Sequence, residues 1–292
     1  MPLFSADAVI RAPAGDSEIV ITTTTRVAGA IHSLTWNGRE FIDSTDHGRQ
    51  LQSALNCDAG NPIAAETFNP TEAGALSDGV GPTSTSRLLH SLIADNELQT
   101  TTQMAFWLAP GQSSGGRPAK NPAPLSQHLL TKRVTIGVPG LPQVIDYRVN
   151  FALPVNEQHR QVVFESLTGY MPAEFSTFWR YDRDTRRLMP LSDGPGEQRD
   201  PVVLATATGT HAMGVIARLN DIPDMQGPTY GRFRFAAEEV VKWNCVYRLI
   251  RDQTIPAGDY GFHLRVAVGT RDDVEQMLEQ LSDWSELTTP PR

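Results

Sequence analysis

Short runs that alternate apolar with polar residues, or are rich in β-branched side chains, recur along the whole chain, at residues 8–12, 18–25, 30–36, 98–108, 128–138, 143–153, 161–167, 202–207, 212–217, 239–249 and 260–268. Most are bounded by Gly, Pro, Asn or Asp, and a period of two stopped by turn formers is the signature of half-buried strands. The pattern predicts an all-β protein, a large antiparallel β-sandwich. Within it, Trp36-Asn37-Gly38-Arg39 is the sharpest hairpin signal, because Asn-Gly supplies the two positive φ angles of a type I′ turn. One stretch has a different period. Over 272–284, Val274, Met277, Leu278, Leu281 and Trp284 share one helical face behind an acidic first turn, which predicts one C-terminal helix capping a sheet.

A chain of 292 residues is long enough for one large β domain. Strands of the same style continue on both sides of the Gly- and Pro-rich loops at 110–124 and 192–200, so 1–292 reads as a single large β-sandwich domain. An irregular insertion at about 44–86 interrupts it. Hydrophobic content of 40% and charged content of 20% suit a full core in water, and no apolar run approaches the roughly 20 residues of a membrane span. The formal charge of −8, with no Lys/Arg run, argues against a nucleic-acid partner. The N-terminus lacks the basic stretch and apolar core of a signal peptide, which makes a cytoplasmic location the expectation. Two cysteines, Cys57 and Cys245, are too few for a disulfide framework and read as buried free thiols, with one remote bridge open if the protein is exported. No His-x-x-x-His, His-x-His, Cys-rich or Asp-rich spacing appears, so neither a metal nor a cofactor is expected. The oligomeric state is not written in the sequence.

Candidate chemistry gathers in the insertion. Asp46-His47-Gly48-Arg49-Gln50 places a group that titrates near neutrality beside a bidentate donor at a probable turn. Asn69-Pro70-Thr71-Glu72-Ala73-Gly74 puts a carboxylate among small residues, where a ligand could approach and partial burial would raise its pKa. Arg87, at the end of the loop that follows, is a further binding candidate, though the Gly79-Val80-Gly81 spacing is not that of a phosphate loop. Outside the insertion, Glu165-Ser166-Leu167-Thr168-Gly169-Tyr170 ends a strand with a carboxylate and a phenol. Trp107, Trp179 and Trp243 are candidates for stacking on a ligand face.

The run Gly29-Ala30-Ile31-His32-Ser33-Leu34-Thr35-Trp36-Asn37-Gly38-Arg39-Glu40-Phe41-Ile42 resembles the opening of the galactose mutarotase-like β-supersandwich proteins, where a Gly-x-Ile-x-Ser-Leu strand passes through an Asn-Gly turn into a second strand. The resemblance implies relatives among sugar epimerases, polysaccharide lyases, glycoside hydrolase domains and non-catalytic sugar binders. It also implies a site on the concave face of the large sheet and its rim loops. Aldose epimerases of this type carry an Arg, two His, a Glu base and a supporting Asp. Arg49 and His47 could occupy that region, but no Asn-x-x-Asn-His-style segment surrounds Glu165–Tyr170, so the epimerase residue set is not carried over.

The resulting expectation is a carbohydrate-active enzyme that works on a sugar or glycan by acid/base chemistry. Glu72 and Glu165 would be the catalytic carboxylates, and His47 or Tyr170 would abstract a proton if the reaction is an elimination. Asp46, Arg49, Gln50, Asn69, Arg87 and the three tryptophans would bind substrate, with Arg49 and Asn69 facing a uronate carboxylate. A hydrolase would hold its two carboxyls about 5–5.5 Å apart for retention or about 6.5–9.5 Å for inversion. An aldose mutarotase or epimerase, and a non-catalytic carbohydrate-binding protein with an aromatic platform, are the alternatives.

Overall fold

The computed structural model describes residues 7–60 and 62–289. Nineteen strands join in one continuous antiparallel system that bends into two facing layers. The first layer runs in space through Ala8–Ala14, Ser17–Thr23, Ile31–Trp36, Leu51–Cys57, Gln161–Pro172, Val240–Ile250 and Met225–Phe235. The second runs through Arg87–Ala94, Glu97–Phe106, Leu125–Val138, Leu141–Leu153, Gly258–Gly269, Ala212–Ala217, Val202–Ala205 and Thr177–Asp182. The two-residue strand Pro70–Thr71 pairs with both layers and ties them together.

Each of the predicted segments overlaps one of these strands. The hairpin is as expected: Asn37 and Gly38 take φ of 48° and 71°, and Trp36 pairs with Arg39. Alternation sends Leu34, Leu55, Val134, Ile136, Tyr147, Phe164, Leu167 and Val266 between the layers, all with 1% or less of their surface exposed. That burial is the main stabilising term, at about 25 cal/mol for each Å² of apolar surface removed from water.

The helix spans Arg271–Ser285, the one α-helix among the described residues. Thr270 caps it reciprocally with Asp273, as in a capping box. Its apolar stripe, Val274, Met277, Leu278 and Leu281, seals the outer face of the second layer. Gly214 permits the close approach, because a Cβ there would sit 2.8 Å from Val274 and 2.9 Å from Val203. Among the described residues no helix is long and apolar enough to cross a membrane.

The insertion at 44–86 differs from the expectation. Leu51, Ser53, Leu55 and Cys57 face inward in a buried strand at the heart of the first layer, so only the flanking segments are irregular. The strand Met225–Phe235 was concealed by Gly227, Pro228 and Gly231, which read as turn formers. Cys57 and Cys245 are both free buried thiols.

Candidate active site

The outer face of the first layer carries an open cleft of about 480 Å³. Its floor comes from four neighbouring strands. Leu51–Cys57 contributes Gln52, Ala54 and Asn56, Gln161–Pro172 contributes Glu165, Thr168 and Tyr170, Val240–Ile250 contributes Lys242, and Met225–Phe235 contributes Phe233 and Phe235. Irregular segments supply the rim, with Asp46, Gly48, Arg49, Glu66, Asn69, Trp107 and Glu238.

A β-bulge builds the centre of the floor. The register of Gln161–Pro172 slips between Glu165 and Leu167 against Val240–Ile250, and between Glu165 and Thr168 against Leu51–Cys57. In a regular strand, residues three apart face opposite sides. The extra residue turns Thr168 to the side of Glu165, and its hydroxyl donates to Glu165 Oε2 at 2.7 Å.

Register then sets Lys242 opposite Tyr170. The Lys242 ammonium lies 3.4 Å from Glu165 Oε2, 5.0 Å from the centre of the Tyr170 ring and 5.4 Å from that of Phe233. Burial pushes the Glu165 carboxyl up, but the Lys242 charge and hydrogen bonds from Thr168, Lys242 and Asn244 outweigh it and hold the group below the usual glutamate range. Burial works against the Lys242 charge too, and Glu165 and Tyr170 more than restore it, leaving the ammonium above the usual lysine value. Both groups are therefore ionised at neutral pH.

Tyr170, Phe235 and Phe233 form an aromatic wall, with near-parallel rings 6.5 Å and 6.1 Å apart. On the rim, Arg49 Nε pairs with Asp46 Oδ2 at 3.2 Å, and Asp46 Oδ1 accepts the Gly48 N–H at 2.8 Å. Gly48 is required where it stands: a Cβ would lie 2.7 Å from the tip of the Trp107 indole. Asn69 reaches back to the Leu55 carbonyl with its amide.

Of the residues predicted from sequence, the cleft gathers Glu165, Tyr170, Asp46, Arg49, Asn69 and Trp107. Six others lie elsewhere. Glu72 is fully buried between the layers, where one carboxylate oxygen pairs with Lys132 and the other accepts the Ser53 N–H at 3.1 Å. His47 is 1% exposed, its two ring nitrogens against the carbonyls of Gly79 at 2.8 Å and Arg26 at 2.7 Å. Gln50 is buried, donating to Ser44 and to the Asp46 carbonyl. Their position is explained by loop closure, since buried backbone carbonyls and amides need partners. Arg87 is exposed on an edge hairpin of the second layer. Trp179 packs beside the helix with the Arg271 guanidinium over its ring. Trp243 points into the core beneath Gly169, where any side chain would collide with its indole.

Lys242, Gln52, Phe233 and Phe235 were missed. The alternation of Val241, Trp243, Cys245 and Tyr247 already placed Lys242 on the opposite face from the core. Which acid it would meet depends on strand register, and no local pattern reveals that.

No family model matches this chain, and no curated protein matches it. Among solved structures, an α-galactosidase from Lactobacillus brevis aligns over 96% of this chain and 42% of its own, with TM-score 0.50 and 9% identity. A Synechocystis protein aligns over 90% of this chain and 96% of its own, with TM-score 0.44 and 9% identity. A heparan sulfate lyase from Pedobacter heparinus aligns over 92% and 36%, with TM-score 0.43 and 9% identity. The chain thus spans less than half the length of the α-galactosidase. The likeness to the α-galactosidase is one of fold, consistent with the resemblance of the Gly29–Ile42 opening.

Proposed function

We propose that this chain is a carbohydrate-active enzyme that acts on a sugar or glycan by acid/base chemistry in the cleft of the first layer. The observation that carries the reading is the group Glu165, Lys242 and Tyr170, held on the floor of an open cleft walled by aromatic rings. Aromatic faces suit the apolar face of a sugar ring, while ionised and hydroxyl groups meet its hydroxyls. Glu165, kept ionised, accepts a proton or attacks the anomeric carbon. Lys242 and Arg49 oppose negative charge, either on a uronate or developing on a leaving oxygen. The second carboxylate of a hydrolytic pair would come from the rim, from Asp46 or Glu66, since Glu72 is sealed away.

A free-sugar epimerase is the second reading. It is favoured by the fact that the partner bonded to Glu165 is an ammonium rather than a second carboxylate, and interconversion needs only one base and one acid of unlike type.

The test is Glu165→Gln, assayed against oligosaccharides for reducing ends, against uronate-containing glycans for unsaturated products, and against free aldoses by polarimetry. Turnover should fall about 10²–10⁴-fold with ligand affinity changed only a few-fold. Wild-type protein that binds a glycan but turns over none of these substrates would be a binding protein, and the enzyme proposal would be abandoned.

A further inference from the structure

Three buried metal-ligating side chains meet from distant parts of the chain. Cys57 ends a strand of the first layer, His128 lies on Leu125–Val138 of the second, and His159 sits in the segment that carries the chain from Leu153 across to Gln161. The Cys57 sulfur and one nitrogen from each imidazole lie within 4.8 Å of one another, and all three residues are buried. A tetrahedral cation with bonds of about 2.0–2.3 Å holds its donors roughly 3.3–3.8 Å apart, so a small contraction would complete the shell.

Two observations point to a ligand. His128 is 0% exposed, yet neither of its ring nitrogens has a hydrogen-bond partner among the described residues. An imidazole sealed in this way leaves a lone pair and an N–H unsatisfied, a cost that buried polar groups rarely bear. In addition, His159 is oriented as a ligand. Its Nδ1 faces Asp58 Oδ1 at 3.2 Å, and Asp58 is itself held by the Arg160 N–H at 3.1 Å. Nε2 points away from Asp58 and is hydrogen-bonded to Glu157 Oε2 at 2.9 Å, so an ion bound there in the carboxylate–histidine–metal arrangement would replace that bond. Glu157 flanks both imidazoles, its Oε2 2.9 Å from His159 Nε2 and 3.4 Å from His128 Nε2, and stands outside the three-donor cluster itself.

We propose that Cys57, His128 and His159, with Glu157 swinging in as the fourth donor, form a structural site for a divalent cation of the zinc class. A thiolate and a carboxylate balance the two positive charges, and the sulfur with two imidazoles favours zinc over magnesium or calcium. With Glu157 drawn in, four protein donors would leave no open coordination position for chemistry. The bound ion would clamp both layers and the connection between them, and would fix the end of the Leu51–Cys57 strand from which the cleft-lining segment Ala65–Asn69 departs. Neither ligand spacing nor any short motif announces the site, because its donors are contributed by three separate segments.

Cobalt(II) titration of the chelator-treated full chain is the test. One equivalent should bind, giving a thiolate-to-cobalt charge-transfer band in the near ultraviolet and strong tetrahedral visible bands, both abolished by added zinc. Cys57→Ala should lose the charge-transfer band while Cys245→Ala keeps it, and zinc should raise the melting temperature of the wild type. Folded wild-type protein that takes up no cobalt or zinc, or binds cobalt with weak octahedral bands only, would overturn the site. If Cys57→Ala does not fold, the wild-type spectrum with its zinc competition decides the question alone.

Discussion

The described residues include two glutamate–lysine pairs that look alike on paper and have opposite surroundings. Glu72 and Lys132 are both 0% exposed and are closed in by the two layers, with Lys132 also donating to the Gly29 carbonyl at 2.8 Å. Glu165 and Lys242 retain 18% and 13% exposure and open onto the cleft. The first pair replaces water with protein partners and holds loops in place. The second keeps one side free for a ligand. Residue type and strand context do not separate the two roles; access does.

The contrast would break most clearly at Glu72. Removing its charge should leave the Lys132 ammonium buried and uncompensated, and Glu72→Gln is expected to cost about 3–5 kcal/mol in urea or thermal unfolding. The double variant Glu72→Leu with Lys132→Met should recover most of that loss. Glu165→Gln should do the reverse, sparing stability while removing turnover. If Glu72→Gln unfolds no more easily than Glu165→Gln, the distinction between a sealed and an open pair fails.

A smaller effect should appear on acidification. The folded-state pKa of Glu165 lies below its unfolded value, so its contribution is fully present above about pH 4.3 and is lost as pH falls through the folded pKa. Wild-type stability should therefore decline more steeply than that of Glu165→Gln below about pH 4.3, by about 1 kcal/mol or less. Acid unfolding curves that run parallel would contradict the ion pair. The smallest effect concerns the rim. Gly48→Ala would push the Trp107 indole aside and should weaken ligand binding a few-fold with a stability cost near 1 kcal/mol, read by calorimetric titration and by Trp fluorescence.

Strand content, the hairpin at Asn37-Gly38 and the terminal helix were legible because each is written in local periodicity or turn chemistry. The candidate site was legible only in part. Arg49, Asp46 and Trp107 sit on rim segments where polar residues stand out, and Glu165 and Tyr170 stood out as a supposed strand end, although the strand runs on through the bulge to Pro172. Glu72 and His47 gave the same local signal for another reason, since irregular buried segments need polar side chains to satisfy their backbone. One clue did exist. Leu130, Lys132, Val134 and Ile136 share the inward parity of their strand, and a lysine at such a position requires a buried acid somewhere. That the acid is Glu72 follows from packing across layers, and the meeting of Tyr170 with Lys242 from register between neighbouring strands of one layer, and neither is encoded within a window of sequence.

The bulge at Ser166 acts as a dislocation in an otherwise periodic lattice. Before it, even-numbered residues such as Val162 and Phe164 point to the core; after it, odd-numbered residues such as Leu167 and Met171 do. Glu165 and Tyr170 can share one surface only because the phase slips between them. Loss of a single residue there would heal the lattice and bury one of the two, so the cleft depends on chain length at this point as strictly as on side-chain identity.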